Sequence, residues 1–245
     1  MEHELGITKF FNDNLAGLGN TFLSLVGQHA HNPERPWANS ITVQILVAVV
    51  MMAIFAILKP QISMDRPGKL QHLFEVIYGF LHDQAEEVIG HHGTKFLHLF
   101  ATLFFFILFC NLIGLIPAFE SPTMFPEVPL GCALLTFIYY NFQGFSAQGV
   151  VHYLKHFAGP VWWLAPIMIP IEIVSHLARP MSLTIRLFAN MFAGEQVTLA
   201  FMKMVPLFIP VVFMGLHLFV SFLQAYIFAL MTMIYVSSAV AHEEH

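Results

Sequence analysis

The stretch from residue 204 to residue 241 sets the strongest limit on what this chain can fold into. It holds 38 consecutive positions without an Asp, Glu, Lys or Arg. At 1.5 Å per residue a helix of that length runs to about 57 Å, well beyond the ~30 Å of bilayer hydrocarbon. Only 10% of the whole chain is charged, against about 25% in soluble domains. The sequence therefore predicts an all-α integral membrane protein.

Apolar runs of sufficient length predict five transmembrane helices. They cover residues 39–58, 96–119, 128–151, 161–203 and 204–241. The last two are too long to stand upright in a bilayer, so we expect a long tilted hairpin, with Pro206 and Pro210 offering a break near its turn.

Residues 69–90 differ from these runs because apolar and acidic side chains alternate with a helical period. The apolar stripe comprises Leu70, Leu73, Phe74, Ile77, Leu81 and Val88. Such a pattern is typical of an amphipathic helix that lies at the membrane interface. A helix packed on a soluble partner is the alternative for this segment.

The ends of the chain and its loops predict an orientation. Residues 1–38 are mixed and polar, and we expect a short periplasmic or interfacial segment there, followed by a single transmembrane domain over 39–245. Lys59, Arg66 and Lys69 follow the first span, which by the positive-inside rule puts the N-terminus in the periplasm and, after five crossings, the C-terminus in the cytoplasm. Without a presequence, the expected location is a bacterial inner membrane.

Residues 170–196 carry ionisable side chains inside an apolar region. These are Glu172, His176, Arg179, Arg186 and Glu195. A charge at mid-bilayer costs between ~3 and ~15 kcal/mol, depending on how it is measured. Steps of three and four residues place on one helix face the side chains of Glu172, Ser175, Arg179, Ser182, Arg186 and Asn190. Glu195 points about half a turn away, and two differently aimed polar surfaces near one arginine suggest an ion path.

Structural interpretations of the same residues remain open. A salt bridge from Arg186 to Glu172 or Glu195 would lock the hairpin, although it would not require a whole polar face. His217 shares a face with Ser221 and Gln224. Such a histidine is either a hydrogen-bonded packing residue or a proton carrier, since imidazole exchanges protons near neutral pH.

Other polar and sulfur-containing residues have simpler interpretations. Asn111 lies within an uncharged span and needs a hydrogen-bond partner if it is buried. Cys110 and Cys132 are interpreted as small buried hydrophobic residues, with a disulfide or metal pair as the alternative.

Metal, cofactor and nucleic-acid binding are not indicated. Solvated histidines are favoured over metal ligands at His91, His92 and His98, because no cysteine or acidic residue completes a ligand set. The C-terminal sequence HEEH lacks the spacing of a zinc protease. A basic patch with interleaved aromatic residues, as nucleic-acid binding requires, is absent from the sequence.

The sequence RPMSLTIRLFANMFAGE at residues 179–195 resembles the signature of subunit a of bacterial F-type ATP synthases. The resemblance extends to LQAYIF at 223–228 and to NLIGLIP at 111–117. It implies a membrane stator with two offset half-channels, which lead protons to and from carboxylates on a rotating ring of c subunits. It also implies a b-subunit peripheral stalk, an indirect link to the F1 head, and no ATP chemistry or cofactor in this chain. Protons are favoured over Na⁺ as the translocated ion.

The resemblance also assigns roles to residues. Arg186 matches the essential arginine that faces the ring, and Asn190 and Gln224 match polar residues beside it. Glu195 and His217 match the pair on the outer access path. The cytoplasmic exit corresponds to Glu172, Ser175 and Ser182.

Two positions depart from the family pattern. Ala189 replaces a common glycine before the asparagine. Gly114 stands where some relatives have an aspartate, so the outer path would rely on Glu120 or on water.

Another class of membrane protein would also move protons through such residues. A self-contained secondary transporter or antiporter is the alternative, but it would show inverted repeats or paired broken helices, and the sequence shows neither.

Overall fold

The computed structural model describes residues 5–25, 35–63, 68–90, 93–116, 119–149, 165–204 and 209–240. Within these residues the chain forms seven α-helices. In chain order they are α1 (Gly6–Leu25), α2 (Asn39–Leu58), α3 (Lys69–Ile89), α4 (Leu97–Ile113), α5 (Glu127–Gln148), α6 (Ala165–Met204) and α7 (Ile209–Val240). Short 3-10 turns lie at Lys59–Gln61, Gly93–Phe96 and Pro122–Met124. Every regular element of the described segments is therefore helical, as the sequence predicts.

The core is built around α4, which is apolar on every side. Phe100, Phe104 and Ile107 of this helix are fully buried. They belong to the same apolar cluster as Leu187 of α6 and Phe228 of α7. A helix that is hydrophobic all round is stable only when other helices or lipid surround it, and here α2, α3 and α7 pack on α4.

Three of the described helices are long and apolar enough to cross a membrane. They cover Asn39–Leu58, Gly93–Ile113 and Val211–Val240. The first of these is 17% buried and the second 61%, so α2 lies at the periphery of the bundle. Its exposed apolar side chains, such as Met52 and Ile57, suit contact with lipid tails.

The predicted span at 96–119 is too long at its C-terminal end. Helix α4 stops at Ile113, and Gly114 and Leu115 form a turn. The chain turns back on itself here, and Gly114 packs directly against Ser121. A Cβ at position 114 would lie only 2.8 Å from Cβ of Ser121, so a residue without a side chain is needed.

The amphipathic helix is confirmed as a helix, but its predicted apolar stripe is only partly buried. Leu81 is fully buried, whereas Leu70 and Leu73 are 64% and 54% exposed. Helix α3 packs on α7 and α4, and Tyr226 of α7 donates a hydrogen bond to Gln84 at 2.8 Å. The C-terminal half of α3 is thus fixed to the bundle, while its first turns present apolar groups outward.

Helices α6 and α7 contact each other and form the two arms of a hairpin. Helix α6 runs for 40 residues with Pro170 and Pro180 inside it. It ends at Met204 and α7 begins at Ile209, and the predicted break at Pro206 lies outside the described residues. Pro210 is the second residue of α7, where a missing N–H costs nothing.

Candidate functional site

A cavity of about 620 Å³ opens between α6, α7 and the loop that follows α4. Its polar walls include Glu195 of α6, His217 of α7 and Glu120 of the loop. Leu5, Gly6 and Asn39, from the N-terminal part of the chain, also line it. A cavity of this size with several polar groups is able to hold water. We call it the outer cavity.

Glu195 and His217 present unpaired polar atoms there. Within the described structure, Oε2 of Glu195 and Nε2 of His217 are buried and lack a hydrogen-bond partner. Polar atoms left unpaired in a protein interior cost about 1–3 kcal/mol each, so these two are suited to bind water or to exchange protons. The imidazole packs closely against α6 because Gly194 has no side chain: a Cβ there would be 3.2 Å from Nδ1 of His217.

A network of buried hydrogen bonds lies next to the outer cavity and connects α4, the loop after it and α7. Thr123 donates to Oδ1 of Asn111 at 2.6 Å, and Asn111 donates to the backbone carbonyl of Ser221 at 3.2 Å. The Ser121 hydroxyl donates to the carbonyl of Cys110 at 2.9 Å. It also lies 2.7 Å from the Thr123 hydroxyl. The expectation that Asn111 needs a partner is confirmed, and the network fixes the loop carrying Glu120.

A second cavity of about 260 Å³ also has His217 in its wall. It is lined by Asn190 and Gly194 of α6, and His217 and Thr198 belong to the walls of both cavities. Asn190 donates a hydrogen bond to Oε1 of Gln224 at 2.8 Å, which joins α6 to α7 one turn beyond Arg186. His217 therefore borders both the outer cavity and the cavity that Asn190 lines.

Arg186 is half-buried, and the ion pairs among the described residues do not include it. The salt bridge to Glu172 or Glu195, which the sequence left open, is not formed there. Side chains on the same face are uncovered, among them Ser175, Ser182 and Asn190. A guanidinium is always charged, so in the membrane this one requires water or an acidic partner.

The residues expected at the cytoplasmic exit share this face but line neither cavity. Glu172 is half-buried, Ser175 is exposed, and the Ser182 hydroxyl donates to the carbonyl of Arg179 at 3.0 Å. Along an α-helix, Glu172 lies about 21 Å from Arg186. The structure thus joins Glu195 with His217 and Asn190 with Gln224, and leaves the exit residues apart.

A polar cluster at this end of α6 was not identified from the sequence. Nε2 of His176 lies 2.8 Å from Oδ1 of Asn141 and 3.2 Å from the Tyr140 hydroxyl. The Arg179 guanidinium stacks over the rings of Tyr140 and Tyr235. Because its members come from three helices, no sequence spacing could reveal the cluster. It holds α5, α6 and α7 together.

The remaining candidate ligands have structural roles or lie elsewhere. Cys110 and Cys132 are free and buried, which confirms their interpretation as packing residues. His98 is exposed, while His91 and His92 lie outside the described residues.

Fold and site together define a class: helical membrane proteins that carry ionisable side chains within their spans and around an internal cavity. Comparison with known proteins narrows this class to one family. The family described as ATP synthase A chain matches residues 41–237. The chain belongs to this family, which supports a role in proton translocation within the membrane sector of a larger complex.

The sequences of individual relatives align with most of this chain. The chain is similar to ATP synthase subunit a of Solibacter usitatus, with 64% identity over 95% of this chain and 99% of the relative. It is also similar to ATP synthase subunit a of Koribacter versatilis, with 50% identity over 99% of both chains. The corresponding subunit of a Sulfurihydrogenibium species is 40% identical over 81% of this chain and 95% of the relative.

Proposed function

We propose that this chain is the proton-conducting stator of an ATP synthase, with two half-channels that end at a ring of c subunits. Protons reach the ring from the periplasm through the outer cavity, past Glu195 and His217. They leave toward the cytoplasm along the opposite half of α6. The observation that carries the proposal is the outer cavity, which holds both a carboxylate and an imidazole with unpaired atoms.

The path from the outer cavity toward Arg186 passes through His217. The imidazole faces both cavities, and it can take a proton on one nitrogen and release one from the other. Asn190 lines the second cavity, is hydrogen-bonded to Gln224 and lies one helical turn from Arg186. This order of groups supports a stepwise transfer from Glu195 through His217 to a ring carboxylate.

Arg186 divides the two half-channels in this proposal. A ring carboxylate facing the guanidinium is stabilised in its ionised form, because opposite charges within a few ångströms favour it. The same fixed positive charge repels a hydrated proton and prevents a direct leak. Only a neutral, protonated carboxylate passes into lipid at low cost, so the ring can turn only after it has taken up a proton.

The exposed face of α6 supports contact with the ring. It carries small side chains on both sides of Arg186, namely Ser175, Ala178, Ser182, Ala189 and Ala193, all exposed. Small residues let transmembrane helices approach closely. Ala189, which replaces a glycine common in the family, slightly limits how closely a neighbouring helix can pack there. The exit residues Glu172, Ser175 and Ser182 lie along this face toward the cytoplasm.

The remaining features of the proposal concern the complete assembly. The transmembrane domain over 39–245 crosses a bacterial inner membrane five times, by α2, α4, α5, α6 and α7, with the N-terminus periplasmic. A b-subunit stalk holds it against the F1 head while the ring turns. Each proton that crosses 100 mV releases about 2.3 kcal/mol, so several protons drive each ATP synthesised. The translocated ion is H⁺ rather than Na⁺.

ATP-driven acidification of inverted vesicles that carry the whole complex tests the outer path. We expect Glu195→Gln and His217→Gln to lose most of the pumping, because each change removes a group that exchanges protons. Glu127→Gln is the matched control, since Glu127 is an exposed carboxylate in the first turn of α5 outside both cavities. Wild-type pumping by assembled Glu195→Gln complexes would overturn the proposed path.

A further inference from the structure

Helix α1 lies against the stretch that precedes α2, and contacts with Trp37 hold it there. Asn12 donates to the backbone carbonyl of Trp37 at 3.3 Å and accepts from its backbone N–H at 3.0 Å. The Trp37 ring meets that of Phe11 edge-on at 5.8 Å. Asn12 is 5% exposed, so this reciprocal pair is shielded from water and correspondingly strong.

The indole of Trp37 also occupies a break in α1. Its Nε1 donates to the carbonyl of Leu15 at 3.0 Å, and Leu15 has non-helical angles of φ −122° and ψ 15°. Gly19 allows the ring to come this close. A Cβ at that position would lie 2.9 Å from both Nε1 of Trp37 and Cγ of Pro36.

The contacts at Trp37 set the position of the start of α1. Leu5 and Gly6 form part of the wall of the outer cavity, which Glu195 and His217 also line. The backbone N–H of Leu5 donates to Oδ1 of Asn39 at 3.4 Å, and Asn39 lines the same cavity. The side chain of Leu5 packs against the apolar cluster formed by α2 and α4.

We propose that α1 is a wall of the proton-access cavity, and that Asn12, Gly19 and Trp37 are positioning residues for proton translocation. This inference rests on the proposed function of the outer cavity and extends it to a part of the chain that precedes the matched family region, residues 41–237. Displacing α1 would open the cavity on one side and alter the space in which Glu195 meets water. A helix needed only for assembly would leave access to the cavity unchanged.

The test compares two glycines of the same helix, Gly19→Ala and Gly17→Ala, in the complete complex. A Cβ at Gly17 has no atom within 4 Å, and both changes raise helix propensity by about 1 kcal/mol, so they differ in the contact with Pro36 and Trp37. The reporter is Leu199→Cys, which lies on the cavity wall. Its reaction with a membrane-impermeant maleimide is followed from the periplasmic side of right-side-out vesicles. The parent thiols, Cys110 and Cys132, are buried.

We expect Gly19→Ala to raise the labelling rate per assembled complex several-fold over Gly17→Ala, and to lower ATP-driven acidification in inverted vesicles. Equal labelling rates in assembled complexes would overturn the inference. If Gly19→Ala complexes fail to assemble, Asn12→Asp is measured in their place, and equal labelling rates for it and its control would overturn the inference. It removes the donor to Trp37, and Asn14→Asp is its control, because Asn14 is exposed and its hydrogen bond within the described chain goes to the carbonyl of Phe10 in the same helix.

Labelling separates this inference from the proposed function. It reports access to the cavity and does not require that protons pass through it. Normal pumping by Glu195→Gln complexes would refute the proposed function. A labelling rate unaffected by α1, together with lost pumping in Glu195→Gln, would refute only the role of α1.

Discussion

Thr123 and Asn111 share the shortest hydrogen bond of the buried network, at 2.6 Å. Both residues are fully buried, and the Thr123 hydroxyl is the donor that the structure gives to Oδ1 of Asn111. The sequence predicts that Asn111 needs such a partner, because an amide in an apolar span is costly. It does not predict that the partner lies twelve residues on, since this depends on the turn at Gly114.

Replacing Thr123 with valine keeps the shape of the side chain and removes the donor to Asn111. We expect the chain to lose about 1–3 kcal/mol of unfolding free energy, the cost of leaving a buried acceptor unsatisfied. Denaturant titration of the purified subunit in detergent measures this loss.

Thr102→Val is the matched control for that change. Thr102 is exposed, and among the described residues its hydroxyl bonds the carbonyl of His98, one turn earlier in α4, at 2.7 Å. A change within about 0.5 kcal/mol is expected there. Equal effects of the two substitutions would show that the buried network contributes nothing to stability.

At the scale of elements, apolar runs predict the helices well where lipid or core surrounds them. The sequence places helices at 39–58, 69–90 and 128–151, and the structure has helices at Asn39–Leu58, Lys69–Ile89 and Glu127–Gln148. Helix α1 was not predicted, because its partner Trp37 lies 22 to 25 residues from the groups it binds. Local periodicity cannot report such a contact.

The attachment of α3 to α7 predicts a measurable effect of Tyr226→Phe. The change removes the hydrogen bond to Gln84 and keeps the ring contact with Phe80, whose centroid lies 5.2 Å away. We expect a loss of about 0.5–1.5 kcal/mol, together with faster proteolytic cleavage near α3. Tyr78→Phe, at an exposed position of α3, should change neither quantity. Unchanged proteolysis in Tyr226→Phe would show that other contacts suffice to hold α3.

For the whole molecule, the candidate site is partly visible in the sequence and partly not. Spacing along one helix predicts the polar face of α6, and Ser175 and Ser182 on that face are exposed. The same spacing does not predict that Arg179 instead packs on Tyr140 and Tyr235 of the neighbouring helices. The outer cavity could not be predicted, since its walls come from the start of α1, the loop after α4, and helices α6 and α7. Only packing brings such distant segments together, which is why Leu5 and Asn39 escaped sequence reasoning.

The central claim is that Arg186 couples proton flow to ring rotation, and one comparison tests it most directly. ATP-driven acidification is measured in inverted vesicles carrying the whole complex with Arg186→Ala. The matched variant is Arg179→Ala on the same helix, whose guanidinium stacks on Tyr140 and Tyr235. The rate of ATP hydrolysis by the membrane-bound head is used to normalise pumping to the number of assembled complexes.

We predict that Arg186→Ala abolishes pumping while the head still hydrolyses ATP, and that the membrane then leaks protons under an imposed gradient. Assembled Arg179→Ala complexes should still pump, because that arginine holds helices together without facing the ring. Pumping by Arg186→Ala at the wild-type rate would contradict the account, since the arginine would then be a structural residue only.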